Sequence, residues 1–62
     1  MERELFSVKE AAAYLGVSPG SVYRLCYAGA LKSLVLDGTR SRRIRKVDLD
    51  AYIARSMEVG NG

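Results

Sequence analysis

Sixty-two residues with a net charge of +3 are enough for one small domain, and too few for a ligand-binding or catalytic domain besides. With a single cysteine and no histidine, neither an intramolecular disulfide nor a zinc site can hold the fold together, and this cysteine usage fits a reducing, cytoplasmic compartment. No apolar run approaches the roughly 20 residues that span a bilayer, and no signal peptide is visible.

Met1 to Leu5 reads as a frayed start, with Leu5 or Phe6 packing down. Ser7-Val8-Lys9-Glu10 has the form of a capping box, in which Ser7 caps and Glu10 reaches back, and Phe6 can staple onto Ala11. A first helix is predicted from Val8 to Leu15, with Val8, Ala11, Ala12 and Leu15 on its apolar side. The small alanines allow a second helix to come close. Gly16 ends this helix, and only Val17 separates it from Ser18, the next N-cap.

Pro19 falls at the first position of the second helix, where its missing N–H is harmless and its fixed φ is already helical. The spacing predicts a helix over Pro19 to Ala28, closed by Gly29 in the left-handed region. At about 100° per residue, Val22, Leu25, Cys26 and Gly29 share one side. Gly20, Arg24 and Tyr27 lie opposite, with Ser21 and Tyr23 on the flanks. The outward side therefore carries a cation, two phenols and a glycine but no acid, which suits an anionic partner. Two helices joined by so short a glycine-containing turn read as a helix-turn-helix. Cys26 reads as a small core hydrophobe rather than a reactive thiol.

Leu31 is expected to fold back onto the core. Leu34-Val35-Leu36 reads as a strand, Asp37-Gly38 as a hairpin turn, and Arg42 to Arg45 as the return strand with Ile44 inward. Thr39, Arg40, Ser41, Arg42 and Arg43 then form the tip and return arm of a two-stranded wing. Folding alone explains the crowding of like charges there poorly, although charged edges also discourage sheet-to-sheet aggregation. Asp48 is an N-cap candidate for a third helix from Leu49 to Met57, and Leu15, Val22 and Ile53 are expected to pack together. Residues 58–62 read as a disordered tail, so one domain with an ordered core over 5–57 is expected.

The charge is unevenly distributed: residues 18–47 sum to +6, the first 17 residues to −1 and the last 15 to −2. A basic stripe on a weakly charged domain is the electrostatic footprint of a nucleic-acid binder. Lys9, Lys32 and Arg45 are further candidates for contacts to a phosphate backbone. The chain holds no nucleophile–base set, metal cluster or phosphate-cradling loop, so no catalysis, metal or cofactor is expected.

Phe6-Ser7-Val8-Lys9-Glu10-Ala11-Ala12, Leu15-Gly16-Val17-Ser18, Val22-Tyr23-Arg24-Leu25, Gly29 with Leu31, Arg43-Ile44-Arg45-Lys46 and Asp48-Leu49-Asp50-Ala51-Tyr52 together resemble the excisionase-type, MerR-like winged helix-turn-helix family from Leu5 to Arg55. The resemblance implies a small α+β fold of three helices and a two-stranded wing. Many members are recombination directionality factors of phages and integrative elements, which bend DNA near an attachment site and help an integrase excise the element. Others regulate transcription. MerR regulators continue into a long coiled-coil helix, so this shorter sequence is expected to act alone, as excisionases do.

The expected docking places the second helix in the major groove through Ser18, Pro19, Gly20, Ser21, Tyr23, Arg24 and Tyr27, and lays the wing on the backbone or the adjacent minor groove. The expected partners are double-stranded DNA and a phage-type integrase, with no membrane and no small-molecule ligand. The protein is expected to be monomeric in solution and to assemble cooperatively on DNA. The alternatives are a small MerR-like regulator at a promoter operator and a basic adaptor that binds protein.

Overall fold

The computed structural model describes residues 4–36, 38 and 41–57. Along the chain run β1 (Leu5–Ser7), α1 (Val8–Leu15), α2 (Pro19–Tyr27), β2 (Leu34–Val35), β3 (Arg42–Arg45) and α3 (Lys46–Ser56). This is the expected small α+β arrangement of three helices and a wing, with one strand more than the sequence suggests.

The start of α1 is the capping box read from the sequence. Ser7 Oγ accepts from the Glu10 N–H at 3.1 Å, and Glu10 Oε1 accepts from the Ser7 N–H at 2.9 Å. Gly16 ends the helix at φ 75°, where a side chain would be strained, and the Val17 N–H then donates to the Ala12 carbonyl at 2.9 Å. α2 ends at Tyr27, one residue earlier than expected. Ala28 caps it, and the Ala30 and Leu31 N–H groups both fold back onto the Leu25 carbonyl at 3.0 and 3.2 Å. That tight exit drops Leu31 into the core.

The sheet order is β1-β3-β2, antiparallel throughout. Leu34 and Val35 pair with Arg43 and Arg42 to form the wing, and Leu36 lies beyond the strand. β1 occupies the other edge of β3, with Phe6 opposite Ile44, and the Lys46 N–H closes onto the Glu4 carbonyl at 2.9 Å. The stretch expected to fray thus begins a strand at Leu5, because the free edge of β3 supplies the hydrogen bonds that three residues cannot find alone. The expected tail at 58–62 lies outside the described residues, as do Asp37, Thr39 and Arg40 of the wing.

α3 departs furthest from expectation. It starts at Lys46 rather than Leu49, directly out of β3, and ends at Ser56. Asp48 is not its N-cap: Arg45 holds that place without a side-chain bond. The Asp48 carboxylate instead accepts from Arg45 Nε and Nη2 at 2.7 and 3.1 Å.

The core consists of Val8, Ala11, Ala12, Val22, Leu31, Ile44 and Leu49, and Phe6, Leu15, Leu25, Cys26 and Tyr52 pack against it. Phe6 also lies 5.2 Å from Tyr14, ring centre to ring centre. The expected trio divides. Val22 is fully enclosed, Leu15 is half-buried, and Ile53 is 37% exposed. Leu15, Leu25, Tyr52, Ile53 and Met57 line an open apolar groove of about 310 Å³. Leu49 fills the centre, so Ile53, one turn further along α3, reaches only the rim. Two polar links fix α3: Tyr14 donates to Asp50 Oδ1 at 2.6 Å, and Arg55 Nη2 donates to the Ala30 carbonyl at 2.6 Å.

Candidate nucleic-acid interface

The outward side of α2 is built by the same periodicity that buries Val22. Leu25 and Cys26 are half-buried, while Tyr23, Arg24 and Tyr27 stay exposed. At the N-terminus, Ser18 Oγ accepts from the Ser21 N–H at 3.2 Å and lies 3.1 Å from the Ser21 hydroxyl. Pro19 occupies the first turn, which holds no acidic residue. Gly20 faces outward there. A methyl group at its position would meet only Ser18 Oγ, at an ordinary 3.9 Å, so the fold has no steric need for this glycine. The Arg24 guanidinium makes no hydrogen bond or ion pair with any described residue.

Towards its C-terminal end α2 meets the wing. The Tyr23 and Tyr27 rings stack at 6.1 Å with 27° between their planes. The Arg42 guanidinium lies 5.2 Å from the centre of the Tyr27 ring and donates through Nη1 to Ser33 Oγ at 2.6 Å. The structure therefore unites Ser18, Pro19, Gly20, Ser21, Tyr23, Arg24 and Tyr27 on one helix and joins Arg42 to them.

The other sequence-derived candidates separate into distinct surroundings. Arg43 is half-buried and donates to the Arg42 carbonyl at 3.1 Å. Ser41 is half-buried, and its carbonyl accepts from the Leu36 N–H at 3.2 Å to close the hairpin. Lys9, on α1, and Lys32, before β2, are exposed. Arg45 is held within the chain by Asp48. Thr39 and Arg40 lie outside the described residues. Ser33 escaped the sequence reading, because no local pattern shows that it meets an arginine nine positions later.

The two aspartates at the start of α3 are occupied. The hydrogen bond from Arg45 holds Asp48 below the usual aspartate range, with added attraction from Arg45 and Lys32 charge. The Tyr14 hydroxyl, and then Lys46 with an Nζ to Oδ2 contact of 2.9 Å, do the same for Asp50. Two cations of the basic stripe, Arg45 and Lys46, are thus paired with acids at the start of α3. Arg24 and Arg42 leave the described part of the α2 and wing side positive, and no described acid is bound to them, to Lys32 or to Arg43. Among the described residues there is no group of acidic, cysteine or histidine side chains that could hold a metal ion, and no helix long and apolar enough to cross a membrane.

The comparisons agree with this geometry. The family model described as a helix-turn-helix domain matches residues 5–57, from the first residue of β1 to Met57, which caps α3. The transcriptional repressor DcmR of Methylorubrum extorquens is 37% identical to the chain over 60 residues, which take in 97% of this chain and 23% of the repressor. The chain therefore spans about a quarter of the length of that curated relative. No solved structure matches it. With two short capped helices, an outward cationic side on the second and a family match over nearly all its length, the chain belongs to the helix-turn-helix family of DNA-binding domains.

Proposed function

We propose that this domain reads a specific double-stranded DNA site for a transcriptional regulator, and that it binds without catalysing a reaction. α2 enters the major groove with its first turn towards the duplex. Gly20 lets the backbone come close and offers its N–H, the Ser21 hydroxyl meets phosphate or base edges, and Arg24 reads guanine or clamps a phosphate. Arg43 and Lys32 supply sequence-independent affinity at the backbone.

The observation that carries this reading is Arg24: an exposed, unbonded guanidinium on an acid-free side of the second helix. An isolated solvated cation has no folding role there, and a polyanion is the partner that gives it one. The repressor named among the relatives supports regulation of transcription. The motif resemblance and the arginine-rich wing support a second reading, in which the same docking serves as a DNA-bending excision factor beside a phage-type integrase. One α2 and one wing span few base pairs. Both readings therefore involve several copies, which occupy adjacent sites in the same orientation.

Footprinting on genomic fragments tests the proposal. Protection across a promoter supports regulation. Protection of repeated sites beside an integrase attachment sequence, with altered mobility from bending, replaces it with the excision reading. A protein that protects no fragment, and binds random duplex with no dependence on salt, rules out both.

A further inference from the structure

We infer that Arg42 is a positioning residue: held by Ser33 and laid over Tyr27, it locks the wing to the recognition helix and aims the Tyr27 phenol at DNA. The inference rests on the DNA-reading function proposed above. It separates Arg42 from the phosphate-binding arginines with which its sequence groups it.

The contacts of Arg42, not its exposure, set it apart from a phosphate-binding arginine. Side chains alternate across a strand, so Arg42 shares a face with Ile44, which is fully enclosed. Arg43 and Arg45 take the other face. Arg42 is accordingly half-buried, and its guanidinium turns towards α2, where it finds the Tyr27 ring at 5.2 Å and the Ser33 hydroxyl at 2.6 Å. One guanidinium thus does two things at once, lying over an aromatic ring and donating to a hydroxyl. A single ammonium at the end of a flexible stem holds both contacts less well than the rigid, multi-donor guanidinium.

Tyr27 needs such a partner. It is the last residue of α2, and 72% of it is accessible. An unsupported phenol there would sample several rotamers and lose that freedom on binding. With Tyr23 stacked on it and Arg42 over its ring, the phenol is already oriented when DNA arrives. The same contact fixes the angle between wing and helix, which sets whether both reach the duplex together.

The test combines free-protein spectra with binding in a salt series. In the free protein the Arg42 side-chain protons should be shifted upfield by the Tyr27 ring, and Tyr27→Leu should abolish the shift. No such shift in the wild type overturns the inference, whatever DNA does. For specific DNA, Arg42→Ala should raise Kd about tenfold. Arg42→Lys, which keeps the charge, should be nearly as weak. Arg42→Ala with Tyr27→Leu should be no weaker than the worse single variant. The slope of log K against log salt should stay at the wild-type value throughout. Wild-type affinity in Arg42→Lys overturns the inference, because charge alone would then suffice, and so does a slope flatter by about 0.9 in Arg42→Ala, because it marks a lost phosphate contact. A wild type that binds no DNA, yet keeps the upfield shift, overturns the proposed function and reduces Arg42 to a structural strut.

Discussion

α1 and α2 start with the same device and diverge three residues later. Each is capped by a serine whose hydroxyl accepts from the N–H three positions on. In α1 that third residue is Glu10, whose carboxylate returns to the Ser7 N–H and closes the helix end on itself. In α2 it is Ser21, which brings no charge. The positive end of the α2 dipole is left without an acid of its own, and no acid follows on the outward side. The faces differ in the same sense. α1 buries Val8, Ala11 and Ala12 and serves as the platform, whereas α2 fully buries only Val22 and keeps Tyr23, Arg24 and Tyr27 outside. Two helices of nearly equal length can therefore divide the labour of folding and binding through a few side chains at cap and face.

The comparison breaks most visibly at the shared core. Ile44→Ala should cost about 2–5 kcal/mol, most of the stability of so small a domain, and abolish binding through unfolding. Leu15→Ala, half-buried on the open groove, should cost only about 1 kcal/mol. Urea denaturation distinguishes them, and equal losses would mean that the groove is part of the closed core.

Arg24→Ala is the complementary cut. It should weaken specific binding by about 1–3 kcal/mol and leave the melting temperature unchanged, as titration calorimetry and a thermal scan would show. Undiminished affinity would remove α2 from the major groove.

Ser21→Glu rebuilds in α2 the box that α1 already has. The free protein should gain about 0.3–1 kcal/mol, while DNA affinity falls, because the new carboxylate meets the phosphates. Tighter binding by this variant would show that the first turn of α2 faces elsewhere. Gly20→Ala makes the same point sterically. Helix propensity predicts up to about 1 kcal/mol of added stability, and close approach predicts weaker binding. Thermal scans beside binding curves measure both.

The smallest effect concerns acid. Asp48 and Asp50 have lower pKa values folded than unfolded, so their contribution is present above the unfolded value, about 4, and fades as pH falls through the folded values. Asp50→Asn should make the loss of stability below that pH shallower without altering the neutral-pH DNA affinity. An unchanged acid limb would deny the Tyr14–Asp50–Lys46 link a role in stability.

What the sequence by itself determined is the local part. The capping box, Gly16, the Ser18-Pro19 start and the outward placement of Arg24 and Tyr27 follow from neighbours within a turn or two, and the structure has them where the residues put them. The placement of Val8, Ala11, Ala12 and Val22 in the core follows in the same way from helical periodicity. Tertiary structure decided what depends on distant partners. β1 is a strand only because β3 offers it an edge, and α3 begins at Lys46 because the chain leaves that sheet already turning. Asp48 prefers the Arg45 guanidinium to the cap that its position suggests. Ile53 has helical spacing from Leu49 but lies beyond the reach of the core. Arg42 is intermediate: its parity with Ile44 is visible in the sequence and assigns it an inward face, but Tyr27 and Ser33, the groups waiting there, are brought by the packing of α2 against the wing. Caps and periodicity are settled by contacts a few residues apart, whereas strand edges, core rims and side-chain clamps exist only once remote segments have met.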